Sequence, residues 1–259
     1  MGHTIVGELP KTMKWNQVIA LLQAPEVDPA AVASATMAAA ERRLLSLRGD
    51  PSITYCFWML TRLASAARGP DFYADVALLG LSVRPEDHVL SLLAKVSDRV
   101  REELVKFPES GPFGDFSALA LRSTLTQTLG AQNLPLLGSS VEDLARVFHR
   151  HSSATQFGEL ATRFFGDFYA RTLRYYIDRA IPRSLGPDDG LGSLADAERF
   201  RFALDLHARE SARIVDRFAA EWFVKHEGTH GGAISREEVQ GFSAHALRKL
   251  RKELQVDAA

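Results

Sequence analysis

The sequence contains a single cysteine, Cys56, so the chain cannot form an intramolecular disulfide. This cysteine lies within the apolar run of residues 55–60, where a thiol packs as a small hydrophobic side chain. We therefore expect Cys56 to be buried and unreactive. The absence of a possible disulfide also favours a reducing compartment.

Long hydrophobic runs are lacking as well. No uncharged stretch is both long enough and apolar enough to cross a bilayer. Residues 1–6 have neither the basic start nor the apolar run of a signal peptide. Gly2 does not begin a myristoylation motif, because Val6 stands where that motif requires Ser or Thr. These absences predict a cytoplasmic protein that does not bind membranes.

The chain has almost equal numbers of basic and acidic residues: 31 Lys and Arg residues and 32 Asp and Glu residues. A protein whose main role is to bind the phosphate backbone of a nucleic acid usually carries a clear excess of basic residues. Glycine-rich phosphate loops, G-x-S-x-G elbows and C-x-x-C pairs are also missing. The sequence therefore predicts no cofactor and favours a protein without catalytic activity.

What the sequence does contain is the pattern of a folded helical protein. Of its 259 residues, 46% are hydrophobic, which is ample for a core. Apolar residues recur at the three- and four-residue spacing of amphipathic helices through most of the chain. We predict an all-α fold, an irregular assembly of about nine or ten helices. Its composition, rich in alanine and arginine, is typical of bacterial proteins.

Loop signals divide the chain into three parts. Residues 1–10 are β-prone and end at Pro10, which predicts a short extended N-terminal arm. The loop at 130–139 separates a helical lobe at 11–130 from a second at 139–259. Since this loop is not composed like a free linker, we expect the two lobes to pack as one unit.

The segment His226-Glu227-Gly228-Thr229-His230 matches the H-E-x-x-H pattern of zinc metalloproteases. In such a site His226 and His230 would bind zinc, and Glu227 would act as general base. The chemistry requires a helix through the whole motif, but Gly228 and the following glycines disfavour one. We expect the motif to straddle a helix C-terminus, so zinc hydrolysis is only an alternative.

The predicted helix at 154–180 combines aromatic residues with Arg163, Arg171 and Arg174, a mixture that can bind single-stranded nucleic acid. Its aromatics, however, follow one helical stripe, which is typical of core. The arginines also have acidic neighbours one turn away, as on a solvated helix face. Core packing is the favoured interpretation, and nucleic-acid or partner binding is the alternative.

A second group of basic residues lies near the end of the final predicted helix. It consists of Arg248, Lys249, Arg251 and Lys252, opposite an apolar face. Basic residues at a helix C-terminus also match the macrodipole. Besides this structural role, the cluster is a candidate surface for nucleic acid or for an acidic partner.

These observations give three hypotheses of different classes. The first is a non-catalytic helical subunit or adaptor that binds a protein partner, or a second copy of itself, within a larger intracellular assembly. The second is an accessory protein that binds nucleic acid through its C-terminal basic helix. The third is a zinc-dependent hydrolase at residues 226–230.

Overall fold

The computed structural model describes residues 12–84, 86–131, 139–186, 190–229 and 234–256. Within these ranges the chain forms twelve α-helices and no β-strand, so the predicted all-α class is confirmed. The helices are α1 (Met13–Leu22), α2 (Pro29–Ala39), α3 (Glu41–Ser46), α4 (Pro51–Ala66), α5 (Phe72–Ala77), α6 (Val89–Leu104), α7 (Pro112–Ala131), α8 (Val141–Arg150), α9 (Ala154–Ile177), α10 (Leu194–Ser211), α11 (Ile214–Thr229) and α12 (Arg236–Val256).

The predicted count of nine or ten helices is too low. The sequence pattern from Pro29 to Leu47 favours one helix, but the chain divides at Ala40 into α2 and α3. The pattern from Ser193 to Val224 likewise favours one helix, but the chain divides after Ser211 into α10 and α11. Neither break contains proline or glycine, so local propensity does not signal it. Tertiary packing accompanies the second break, where Ala212 lies directly against α9.

Capping residues with polar side chains define the N-terminal ends of several helices. Asp50 caps α4 through its carboxylate, which accepts hydrogen bonds from the backbone N–H groups of Ser52 and Ile53. Pro51 occupies the first turn, where its missing N–H group costs nothing. Ser235 and Glu238 form a reciprocal capping box at the start of α12.

The aromatic helix α9 lies at the centre of the fold. It packs against α7 on one side and against α10 and α11 on others, with further contacts to α2 and α4. Phe157, Phe164 and Phe168 of its predicted apolar stripe are fully buried, as the core interpretation predicted, and so is Phe165 beside the stripe. Tyr175, at the end of the stripe, is only partly buried.

One ring, Phe57 of α4, joins helices from the two halves of the chain. Its centroid lies 4.9 Å from that of Phe165 on α9 and 5.2 Å from that of Phe242 on α12. The buried apolar residues form one cluster that includes all three. The predicted N-terminal arm and most of the predicted boundary loop lie outside the described residues, so the division into lobes stays a prediction.

Among the described helices, none combines the length and the apolarity that crossing a bilayer would require.

Candidate functional site

An apolar groove of about 600 Å³ runs between α6 and α7. This volume lies within the range of about 300–1,000 Å³ that ligand-binding clefts occupy. On α6 it extends from Leu93 to Leu104, eleven residues apart, which corresponds to about 16 Å of helix. Its apolar lining includes Leu93, Val100, Leu104, Leu119, Leu121 and Leu125.

The walls of the groove expose apolar side chains to solvent. Val105 is 77% exposed and Leu119 is 41% exposed, while Leu93 and Leu104 are partly covered. Val100 and Leu121 form a buried floor between them. Apolar side chains from both helices therefore line one concave surface, and a cleft of this kind is a candidate binding site.

Buried hydrogen bonds hold the end of the groove where α6 turns into α7. Ser52 Oγ donates to Ser110 Oγ at 2.8 Å, and Ser110 Oγ donates to an Asp50 carboxylate oxygen at 3.0 Å. Arg43 donates to the backbone carbonyls of Glu109 and Ser110 at 3.2 and 3.1 Å. These bonds anchor the turn between α6 and α7 to α3 and to the start of α4.

The turn itself also requires an unusual backbone conformation. Gly111 has φ of +55°, a region that residues with a Cβ rarely adopt. It contributes to the lining of the groove directly before α7 begins.

Three charged side chains border the groove. Arg101 on α6 is paired with Asp98 at 2.8 Å. Asp115 and Arg122, both exposed on α7, have no ion-pair partner within the described ranges. They are seven residues apart on one helix face, about 10 Å along the axis. The groove therefore has one unpaired negative charge and one unpaired positive charge at separate points along its border.

The predicted basic cluster on α12 divides into two groups. Arg248, Lys249 and Lys252 are exposed, and none of them has an acidic partner in the part of the chain that the structure describes. Arg251 instead is largely covered and donates to Glu41 at 2.7 Å, which holds α12 against α3. Burial lowers the pKa of the neighbouring His245, as do the charges of Arg248 and Lys249.

The three predicted arginines of α9 all make internal contacts. Arg174 forms a two-pronged ion pair with Asp205 of α10, at 2.7 and 2.6 Å. Arg171 pairs with the buried Asp167 at 2.7 Å. Arg163 donates to Thr128 Oγ1 of α7 at 3.1 Å. The contacts of Arg174 and Arg163 join α9 to α10 and α7, whereas the Arg171–Asp167 pair lies within α9.

The H-E-x-x-H segment lies at the C-terminal end of α11, which continues to Thr229, five residues beyond the end that the sequence pattern indicates near Val224, so the first four residues of the segment are helical. The Nδ1–H group of His226 donates to the carbonyl of Trp222 at 2.8 Å, one turn earlier. His230 and the side chain of Glu227 lie outside the described residues. Among the His, Cys, Asp and Glu side chains that are described, no group of three is arranged to hold a metal ion.

Cys56 is fully buried, and burial raises the pKa of its thiol to about 12. A thiol with so high a pKa is almost entirely protonated at neutral pH and is a poor nucleophile. The structural interpretation of Cys56 is therefore confirmed.

The sequence contained part of the signal for the groove. The apolar stripe of α6 is wide, since it includes Leu93 and Leu104 beside the fully buried Leu92 and Val96. Such width is equally typical of a helix packed in the core. Which residues of the stripe are left uncovered depends on where α7 lies, so the sequence alone did not identify the groove.

No protein-family model matches this chain, and no curated protein and no solved structure matches it either. The functional argument therefore rests on the geometry of the chain itself.

Proposed function

We propose that this protein is a non-catalytic helical adaptor or subunit that binds a partner protein in the groove between α6 and α7. The observation that carries the proposal is the groove itself, about 16 Å long, mainly apolar and open to solvent. The groove is present in the chain by itself, and a preformed site avoids part of the ordering cost of association.

The lining chemistry supports binding more than catalysis. The polar groups at the closed end, Ser52, Ser110 and Asp50, already satisfy one another by hydrogen bonds. Asp115 and Arg122 lie at the exposed border and are too far apart to act together on one reacting atom. Apolar side chains supply most of the surface that a ligand would contact.

The test is affinity purification of the tagged chain from its own cells, with Leu119→Lys as the disrupting variant. A lysine in the wall places a charge where the partner's apolar side chains would be buried, at a cost that abolishes stable association. Leu206→Lys is the matched control, because Leu206 is also a mid-helix leucine, 46% exposed, on the distant α10.

We expect a stoichiometric protein to copurify with the wild type and with the Leu206→Lys variant, but not with the Leu119→Lys variant. A monomer that copurifies with nothing would contradict the adaptor function. A partner retained by Leu119→Lys and lost by Leu206→Lys would place the interaction on α10 instead.

A second candidate function is nucleic-acid binding by α12, favoured by Arg248, Lys249 and Lys252, which are exposed and have no acidic partner among the described residues. Three phosphate contacts would give binding that weakens steeply with salt. Fluorescence anisotropy with labelled single- and double-stranded DNA and RNA, across a salt series, tests this idea. Lys249→Glu/Lys252→Glu should abolish any true binding, and binding that is absent or independent of salt would exclude it.

Zinc hydrolysis at His226, Glu227 and His230 stays a prediction without further support from the described residues. A metal assay on gently purified protein decides it, since a hydrolase of this type would carry about one zinc per chain.

A further inference from the structure

The dimensions of the groove, its apolar lining and the charges at its border restrict the kind of ligand that it can bind. A stretch of about 16 Å corresponds to three turns of α-helix. Over that length a helix presents apolar side chains at positions i, i+4, i+7 and i+11, which is the set that helix-in-groove recognition uses. The walls supply matching apolar surface on both sides, from α6 and from α7.

The charges at the border of the groove restrict which ligands can bind beyond what the apolar lining requires. Asp115 and Arg122 are opposite in sign, exposed and unpaired within the described part of the chain. Their separation of seven residues equals two turns of helix. A partner helix lying along the groove has flanking positions with the same two-turn spacing, so it can pair with both charges at once.

We propose that the groove binds one amphipathic α-helix of a partner protein, with an acidic side chain beside Arg122 and a basic side chain beside Asp115. This inference rests on the proposed function, because it specifies the kind of partner that the groove takes. The apolar face supplies affinity. The two border charges select a helix of mixed charge over a uniformly acidic or basic one, since like charges across an interface oppose binding.

The test uses three fluorescein-labelled helical peptides of roughly 18 residues, long enough to retain some helix in water. All three carry leucine at positions i, i+4, i+7 and i+11. They differ only at two flanking positions seven residues apart, which hold Glu and Lys, Glu and Glu, or Lys and Lys. Binding to the full chain is measured by fluorescence anisotropy.

For the wild type we expect the Glu/Lys peptide to bind best, with each like-charged peptide weaker by about two- to fivefold, the range of one exposed ion pair. Arg122→Glu leaves two acidic groups at the border, so the Lys/Lys peptide should become the best ligand. Leu119→Lys should weaken all three peptides by roughly tenfold or more, as loss of a buried leucine contact implies. Leu206→Lys should change none of them.

An unchanged order of peptides in the Arg122→Glu protein would overturn the charge assignment, and full binding to Leu119→Lys would overturn the groove as the site. Binding of a dansylated fatty acid without binding of any peptide would show that the groove takes a small apolar ligand instead. Concentration-dependent dimerisation that Leu119→Lys blocks would show that the groove binds a second copy of the chain. If the peptides fail while a cellular partner still depends on Leu119, the adaptor function stands and only the helical class of partner is wrong.

Discussion

Two glycines of α9 set how closely its neighbours approach. A Cβ added to Gly158 would lie 2.7 Å from the backbone carbonyl oxygen of Asp216 in α11. A Cβ added to Gly166 would lie 3.1 Å from Ala212 Cβ and 3.2 Å from the Cα atom of Arg209. The Asp216 oxygen belongs to the backbone and cannot move aside easily, so packing requires glycine at position 158, although glycine weakens an isolated helix. At Gly166 the contacts are tight, and an added Cβ would require the neighbouring groups to shift by a few tenths of an ångström.

We predict that Gly158→Ala destabilises the protein by about 1–3 kcal/mol, the usual cost of overpacking a tight contact. Gly241→Ala in α12 is the matched control, because nothing lies within 4 Å of its added Cβ. That control should be more stable than the wild type by up to about 1 kcal/mol, since alanine is the better helix former. Urea unfolding of the three proteins measures both effects, and equal destabilisation by the two substitutions would contradict this account.

Glu103 is a buried carboxylate that joins α6 to α12. It accepts hydrogen bonds from Arg236 at 2.9 Å and from Lys106 at 2.7 Å. Burial alone would raise the pKa of Glu103, but the hydrogen bonds and charges of Lys106 and Arg236 outweigh burial, so its pKa lies below the ordinary value. A carboxyl group whose pKa is lower in the folded state stabilises the fold above its unfolded pKa, and this contribution is lost as pH falls through the folded pKa.

We therefore predict that Glu103→Gln lowers the free energy of unfolding at pH 6–7, and that its difference from the wild type shrinks as the pH falls below about 4.5. Glu102→Gln is the control, because Glu102 is exposed and its carboxylate pairs, among the described residues, only with Arg99, at 3.5 Å. Its effect should be small at every pH. Denaturant titrations at pH 7, 5 and 3.5 give the comparison, and a constant difference for Glu103→Gln would refute the linkage.

Among the helices, α12 owes its stability to the capping box at its N-terminus as well as to its buried apolar face. The Ser235 backbone N–H group donates to a Glu238 carboxylate oxygen at 2.8 Å, and the Glu238 N–H group donates to Ser235 Oγ at 3.2 Å. The helix that begins here packs against α2, α4 and α11 and presents the exposed cations of the second candidate function. Loss of the cap therefore affects both packing and the orientation of that surface.

We predict that Ser235→Ala costs about 1 kcal/mol of stability, the typical value of an N-cap. Ser235→Asp should restore most of it, because a carboxylate also accepts from the first-turn N–H groups and is favoured near a helix N-terminus. Thermal or urea unfolding of both variants measures the loss and the rescue. Equal losses for alanine and aspartate would mean that the hydroxyl acts through some other contact.

For the whole molecule, the central question is whether the two predicted lobes are independent. The rings of Phe57, Phe165 and Phe242 come from both sides of the predicted boundary and pack within one apolar cluster. Neither lobe could retain its share of this cluster without exposing large aromatic surfaces to water.

We accordingly predict a single cooperative unfolding transition. Far-UV circular dichroism should report loss of helix at the same denaturant concentration at which tryptophan fluorescence reports loss of packing. Fragments 11–130 and 139–259, expressed separately, should each fail to show a cooperative transition. Two separated transitions, or a fragment that unfolds cooperatively by itself, would establish independent lobes.

The sequence by itself determined the helical class, most helix starts and the buried identity of α9 and Cys56. These properties depend on apolar periodicity and on caps a few residues long, so they are local and visible in one chain. It also identified His226 and the basic residues of α12 as candidates, because each has a local pattern.

Only the tertiary structure decided which apolar and charged side chains remain uncovered. The exposure of Leu119, and the absence of an ion-pair partner for Asp115 and Arg122 among the described residues, depend on how α6 and α7 pack against the rest of the fold. The breaks at Ala40 and Ala212 interrupt sequences that favour helix, and Ala212 packs directly against Gly166 of α9. Apolar periodicity indicates which face of a helix is buried, but which side chains on that face remain uncovered depends on contacts between distant segments, which no local pattern encodes.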